Sequence, residues 1–68
     1  MNEETFNLSI RKFLKMVGIN SQREIEQAVA KAMADGSLRG NESFPAYVTV
    51  SIPQLNLNVA FDSVIQLE

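Results

Sequence analysis

The chain has 68 residues, of which 46% are hydrophobic and 21% charged, and it carries a formal net charge of −2. This length allows one small domain, and the composition excludes wholesale disorder. The slight acidity argues against a general nucleic-acid binder and against a strong membrane-surface role, because both need a basic surplus. The sequence contains no Cys, which fits a reducing cytoplasm.

The first residues, Met1 to Glu4, show neither the basic nor the apolar region of a signal peptide, and no apolar run is long enough to span a membrane. We therefore expect a complete, short cytoplasmic protein. Its stability margin should be small: burial is worth on the order of 100 kcal/mol and ordering 68 residues costs about the same. Oligomerisation is the common remedy for so small a margin.

The spacing of apolar residues changes near the middle of the chain, from every three or four positions to every two. This change predicts a helical half followed by a β half. The first helix is expected from about Glu3 to Val17, with Gly18 as a left-handed cap at its end. Its apolar stripe consists of Phe6, Ile10, Phe13, Leu14 and Val17.

A second helix is predicted from about Gln22 to Ala34. Ser21 and Glu24 have the spacing of a capping box, and Ile19 and Ile25 that of a hydrophobic staple. The two helices would then form a helix–turn–helix pair, with Gly36 ending the second helix. The second apolar stripe consists of Ile25, Ala28, Val29, Ala32 and Met33.

The β half should follow a loop from Ser37 to Pro45. Alternating apolar residues predict a strand ending at Ile52, a break at Pro53-Gln54 and a second strand over about 57–61. Asp62-Ser63 is a plausible turn into a short third strand. We therefore expect an α+β domain in which the helix pair packs on an antiparallel sheet of three strands, with a two-stranded hairpin as the alternative.

Candidate catalytic groups are weak. Ser9 and Lys12 have Ser-x-x-Lys spacing, but in a chain this short a chance placement on the surface is the better interpretation. Glu24 and Glu26 point away from each other on a helix, so they do not form an acid–base pair. We expect a protein that is not an enzyme and has no cofactor.

Metal and anion sites are equally weakly indicated. Asp35, Glu42 and Asp62 are scattered and lack the spacing of metal ligands. The 36–40 segment contains glycines and Arg39, as a simple anion-binding loop would, but it matches no phosphate-binding motif. We interpret it as a surface loop.

Three strings in the helical part of the chain resemble a known family: Ile10-Arg11-Lys12-Phe13-Leu14-Lys15, Ser21-Gln22-Arg23-Glu24-Ile25-Glu26, and Ala30-Lys31-Ala32 running into Gly36. They are similar to short bacterial proteins classed as a domain of unknown function, and the resemblance covers nearly the whole chain. It implies a small cytoplasmic bacterial protein and supplies no activity, cofactor or site residue.

The leading functional hypothesis is a non-enzymatic protein-interaction module that self-associates, because small sheets leave edges open to pairing. Two interfaces are expected: a sheet edge at Val59, or the helix face around Leu8. Replacing Val59 or Leu8 with Lys should split one dimer or the other. Leu8 and its basic neighbours could also bind an acidic protein; these neighbours are Arg11, Lys12 and Lys15.

The alternative hypothesis is a nucleic-acid-binding regulator that uses the helix pair. Arg23 and Lys31 would then contact phosphates. The acidic residues on the same helix, Glu24 and Glu26, weigh against this alternative, so we regard nucleic acid as an unlikely partner.

Overall fold

A computed structural model describes all residues from Met1 to Glu68. It contains one helix, α1 (Glu3–Ala34), and two strands, β1 (Ser43–Ile52) and β2 (Leu57–Gln66), with a 3₁₀ turn at Pro53–Leu55 between the strands. The protein is therefore of the α+β class. Its two compact units are Met1–Ser37 and Leu38–Glu68, and each is described by itself below.

The helix begins where the sequence predicts. Asn2 is its N-cap, and the Asn2 side-chain oxygen accepts a hydrogen bond of 3.0 Å from the backbone N–H of Thr5. Glu3 and Glu4 occupy the first turn, where the helix dipole favours negative charge.

The predicted helix–turn–helix pair is wrong, because α1 runs without interruption through residues 18–21. Gly18 has no positive φ angle, and it is an interior helical residue rather than a cap. Asn20 donates a side-chain hydrogen bond of 2.8 Å to the Met16 carbonyl. The Ser21–Glu24 spacing is thus compatible with a helix interior as well as with a capping box.

The helix ends in a Schellman motif. The N–H of Gly36 donates to the Met33 carbonyl and that of Ser37 to the Ala32 carbonyl, at 3.3 and 2.9 Å. Gly36 has a φ of +83°, in the left-handed region that glycine adopts without steric cost. The prediction that Gly36 ends the helical half is confirmed.

The second unit is an antiparallel hairpin. Its ten residue pairs run from Ser43 opposite Gln66 to Ile52 opposite Leu57. Asn56, with a φ of 52°, completes the connecting turn, and its N–H donates to the Pro53 carbonyl at 3.1 Å. The predicted break after Ile52 is confirmed.

The expected third strand is wrong, and the two-stranded alternative is confirmed. Asp62 and Ser63 do not form a turn; they pair with Tyr47 and Ala46 in the middle of the ladder. Phe61 and Ile65 lie on the same face of the strand, and the ladder continues through Ser63 between them. β1 also begins earlier than expected, so Pro45 lies within it rather than in a loop.

No side chain in the chain is fully buried, and the accessible surface is 6173 Å². The single helix does not combine the length and apolar character that crossing a membrane requires.

Candidate interaction surfaces

The first surface is a line of residues along α1, here called the helix stripe. The two apolar stripes predicted for separate helices lie on one continuous helix, where they join through Ser21. Eight positions at steps of 4, 3, 4, 4, 4, 3 and 4 residues fall within an arc of about 120°. The same arc also contains Leu14 and the charged residues Glu24 and Lys31. The helix stripe consists of Phe6, Ile10, Phe13, Val17, Ser21, Ile25, Ala28 and Ala32.

Within the Met1–Ser37 unit nothing buries the helix stripe. The Phe6 side chain is 50% exposed and that of Phe13 45%, whereas Val17 and Ser21 are half-buried. The sequence-based interpretation missed the joined stripe because it placed a turn at Gly18. The signal that could have shown it is the three- and four-residue spacing, which crosses the supposed turn without a break.

The second surface lies on another side of α1 and is here called the basic face. Leu8 and Lys12 are four residues apart, and Arg11 and Lys15 lie within one turn of that pair. All four side chains are exposed, Leu8 to 54%. The structure thus places four of the five predicted partner-binding residues together.

The third surface, here called the apolar hairpin face, contains the fifth predicted residue. Val59 lies opposite Val50 in β2. Because cross-strand partners point to the same side of a sheet, five pairs share this face, and nine of its ten residues are apolar. The pairs are Phe44–Ile65, Ala46–Ser63, Val48–Phe61, Val50–Val59 and Ile52–Leu57.

The opposite face of the hairpin is mainly polar, with Tyr47 paired to Asp62 and Ser51 to Asn58. The hairpin is therefore amphipathic, and its apolar side has no covering layer within its own unit. An open, shallow depression of about 250 Å³ marks the middle of the hairpin, lined on the apolar side by Val48 and Phe61.

The segment between α1 and β1 satisfies its own polar groups. The Glu42 carboxylate accepts hydrogen bonds from the backbone N–H groups of Arg39, at 2.9 Å, and Gly40, at 3.0 Å. These bonds hold the pKa of Glu42 below its ordinary value. Because Glu42 already occupies these amides, they do not form an open anion site.

A similar arrangement lies at the end of the helix. The hydroxyl and the backbone N–H of Ser37 both donate to the Asp35 carboxylate, and they lower the pKa of Asp35. No group of three or more His, Cys, Asp or Glu residues is placed to hold a metal ion.

The chain belongs to the Family of unknown function (DUF6494), whose family model matches residues 1–68. This membership confirms the resemblance drawn from the sequence. No curated protein and no solved structure matches the chain.

Proposed function

We propose that this protein is a small non-enzymatic interaction module that folds by associating with a second copy of itself. The observation that carries this proposal is that each of the two units leaves an apolar surface without a covering layer of its own, the helix stripe on α1 and the apolar hairpin face on the hairpin.

The distribution of apolar residues supports the same proposal. The helix stripe and the apolar hairpin face are each continuous, and neither has a covering layer in its own unit. Monomeric soluble proteins rarely leave contiguous apolar patches larger than a few hundred Å² exposed. A second copy supplies a complementary apolar surface without requiring any other component.

The basic face provides a separate surface for an acidic protein partner. Its three cations surround Leu8, and their aliphatic stems extend the apolar area around that residue. We place the protein in the cytoplasm, because the chain contains no Cys and therefore none of the disulfides that are common in proteins of oxidising compartments.

Nucleic-acid binding no longer has the structural premise from which it was inferred. The continuous α1 offers no second helix that could enter a groove as the recognition helix of a helix–turn–helix pair does. That alternative stays a prediction of the sequence, and no specific structural observation favours it.

The test is light scattering behind size exclusion over a hundredfold range of concentration. We expect a mass near twice 7.6 kDa and a monomeric fraction that grows on dilution. Val59→Lys should shift the distribution toward monomer, because it places a charge on the apolar hairpin face. A folded monomer at every concentration contradicts the proposal.

Leu8→Lys is the matched variant on the helix. It should leave the mass unchanged if the helix stripe forms the interface, because Leu8 lies outside that stripe. A fall in mass with Leu8→Lys would instead assign the contact to the basic face.

A further inference from the structure

The helix stripe has an internal symmetry that defines how a second copy would pair with it. Its steps of 4, 3, 4, 4, 4, 3 and 4 residues read the same in both directions, and their centre is Ile19. We infer that two copies pair through α1 in antiparallel orientation, related by a two-fold axis at the level of Ile19. This inference rests on the proposed self-association and specifies its geometry.

In this arrangement every stripe residue meets another stripe residue, because position i of one copy lies level with position 38 − i of the other. The four resulting layers each occur twice, as two-fold symmetry requires. They are Phe6 with Ala32, Ile10 with Ala28, Phe13 with Ile25, and Val17 with Ser21.

Side-chain size favours this orientation over a parallel one. The antiparallel layers set the larger residues Phe6 and Ile10 against the alanines at 32 and 28, so the layers have similar widths. A parallel pair would set Phe6 against Phe6 at one end and Ala32 against Ala32 at the other. Because the distance between packed helices follows the side chains at the contact, the parallel helices would diverge at the aromatic end.

The distribution of charge also favours the antiparallel orientation, although more weakly than side-chain size does. Residues 11–15 carry a net charge of +3 and residues 23–27 a net charge of −1. Antiparallel pairing places these two segments level with each other, whereas parallel pairing places +3 level with +3. These exposed charges are screened by salt, so this effect is worth less than about 1 kcal/mol.

The spacing also indicates how the helices would cross. A heptad repeat that starts at Phe6 fails after Val17, because it then reaches Asn20, Glu24 and Gln27. The steps of the stripe average about 3.7 residues per turn, close to an 11-residue repeat, although that repeat also places Glu24 at the position equivalent to Phe13. Such a repeat gives straight or slightly right-handed packing rather than a left-handed coiled coil.

Cysteine cross-linking tests the orientation directly, because the native chain contains no Cys. Ile10→Cys and Ala28→Cys are each prepared alone and as an equal mixture of refolded proteins in a glutathione redox buffer. We expect a disulfide dimer that contains one copy of each variant, and little self-linking of either. Ala30→Cys is the matched control, since Ala30 lies outside the helix stripe and should not link to Ile10→Cys.

A second measurement does not depend on disulfide geometry. A nitroxide attached to Ala30→Cys should lie at least about 33 Å from its copy by pulsed electron resonance, since 22 residues separate the two levels at about 1.5 Å each. In a parallel pair the two labels would lie at the same level on the outer sides of the two helices, so their separation would have no component along the helix axis.

The outcomes separate this inference from the proposal on which it rests. A dimeric mass with self-linking of Ala28→Cys overturns the antiparallel pairing and leaves self-association standing. So does a dimeric mass with a distance between the two nitroxides shorter than about 33 Å. A dimeric mass with no disulfide between Ile10→Cys and Ala28→Cys also overturns the pairing. A monomer at every concentration overturns both.

Discussion

Val48 and Phe61 face each other as cross-strand partners in the hairpin, and both remain exposed, to 46% and 61%. A pair of this kind normally contributes to a sheet because a second layer covers it. Here the pair contributes apolar surface that is open to a partner. The stability of the hairpin should therefore depend on what covers this pair.

Replacing Phe61 tests that dependence. Phe61→Ser should weaken self-association by at least tenfold, because it removes the most exposed large side chain of the apolar hairpin face. Sedimentation equilibrium measures the dissociation constant. Tyr47→Ser is the matched control, since Tyr47 is an exposed aromatic residue on the opposite face; equal weakening by both variants would show that the apolar face has no special role.

Gly18→Ala should stabilise the protein. Gly18 lies inside a helix, where glycine costs about 1 kcal/mol relative to alanine, and an added Cβ would meet nothing within 4 Å. We expect a higher thermal midpoint at fixed protein concentration, measured by circular dichroism at the helical band. A lower midpoint would indicate either a break at Gly18 or a close approach of another chain there.

Gly36→Ala should have the opposite effect. The space around Gly36 is also open, but its φ of +83° is a conformation that residues with a Cβ rarely adopt. The expected loss is about 1 kcal/mol, measured by the same thermal unfolding. Because the two variants make the same chemical change, a shared direction of effect would contradict the assignment of one glycine to the helix and the other to its cap.

Glu42 should make the loop before β1 sensitive to acid. Its pKa lies below the ordinary value of 4.5 because its carboxylate accepts hydrogen bonds from the N–H groups of Arg39 and Gly40. The stabilisation is fully present above pH 4.5 and is lost as the pH falls through the lowered pKa of the folded state.

Carboxyl-carbon NMR measures this titration, and the amide shifts of Arg39 and Gly40 should follow it with the same midpoint. In Glu42→Gln these amide shifts should lose that pH dependence. A midpoint for Glu42 at or above 4.5 would show that the hydrogen bonds to the carboxylate do not persist in solution.

Local signals in the sequence correctly predicted two of the element ends. Asp35-Gly36 ends the helix and Pro53 ends β1, because glycine and proline act through their own backbone conformation. The break predicted at Gly18 failed for a different reason. A capping box satisfies a helix end, but Ser21 and Glu24 are also tolerated within a helix, and only the continuous apolar spacing distinguishes the two cases.

Local sequence patterns were only partly sufficient to predict the strands as well. The alternation that assigns Val48, Val50 and Val59 to one face was evident in the sequence, and the structure confirms that they share it. The turn predicted at Asp62-Ser63 was wrong because two adjacent polar residues resemble a turn, although Asp62 lies on the polar face of the strand and Ser63 is the single polar residue of the apolar hairpin face. No local pattern could show that the apolar face lacks a covering layer within the hairpin's own unit, since that depends on the whole chain.

The absence of any buried side chain has a consequence for the amount of this protein in a cell. If the fold forms only when two copies meet, the folded population depends on the square of the free chain concentration. Dilute chains would remain open to proteases, whereas chains above the dissociation constant would be protected. The level of expression would then act as a threshold, below which newly made chains are degraded and above which they accumulate.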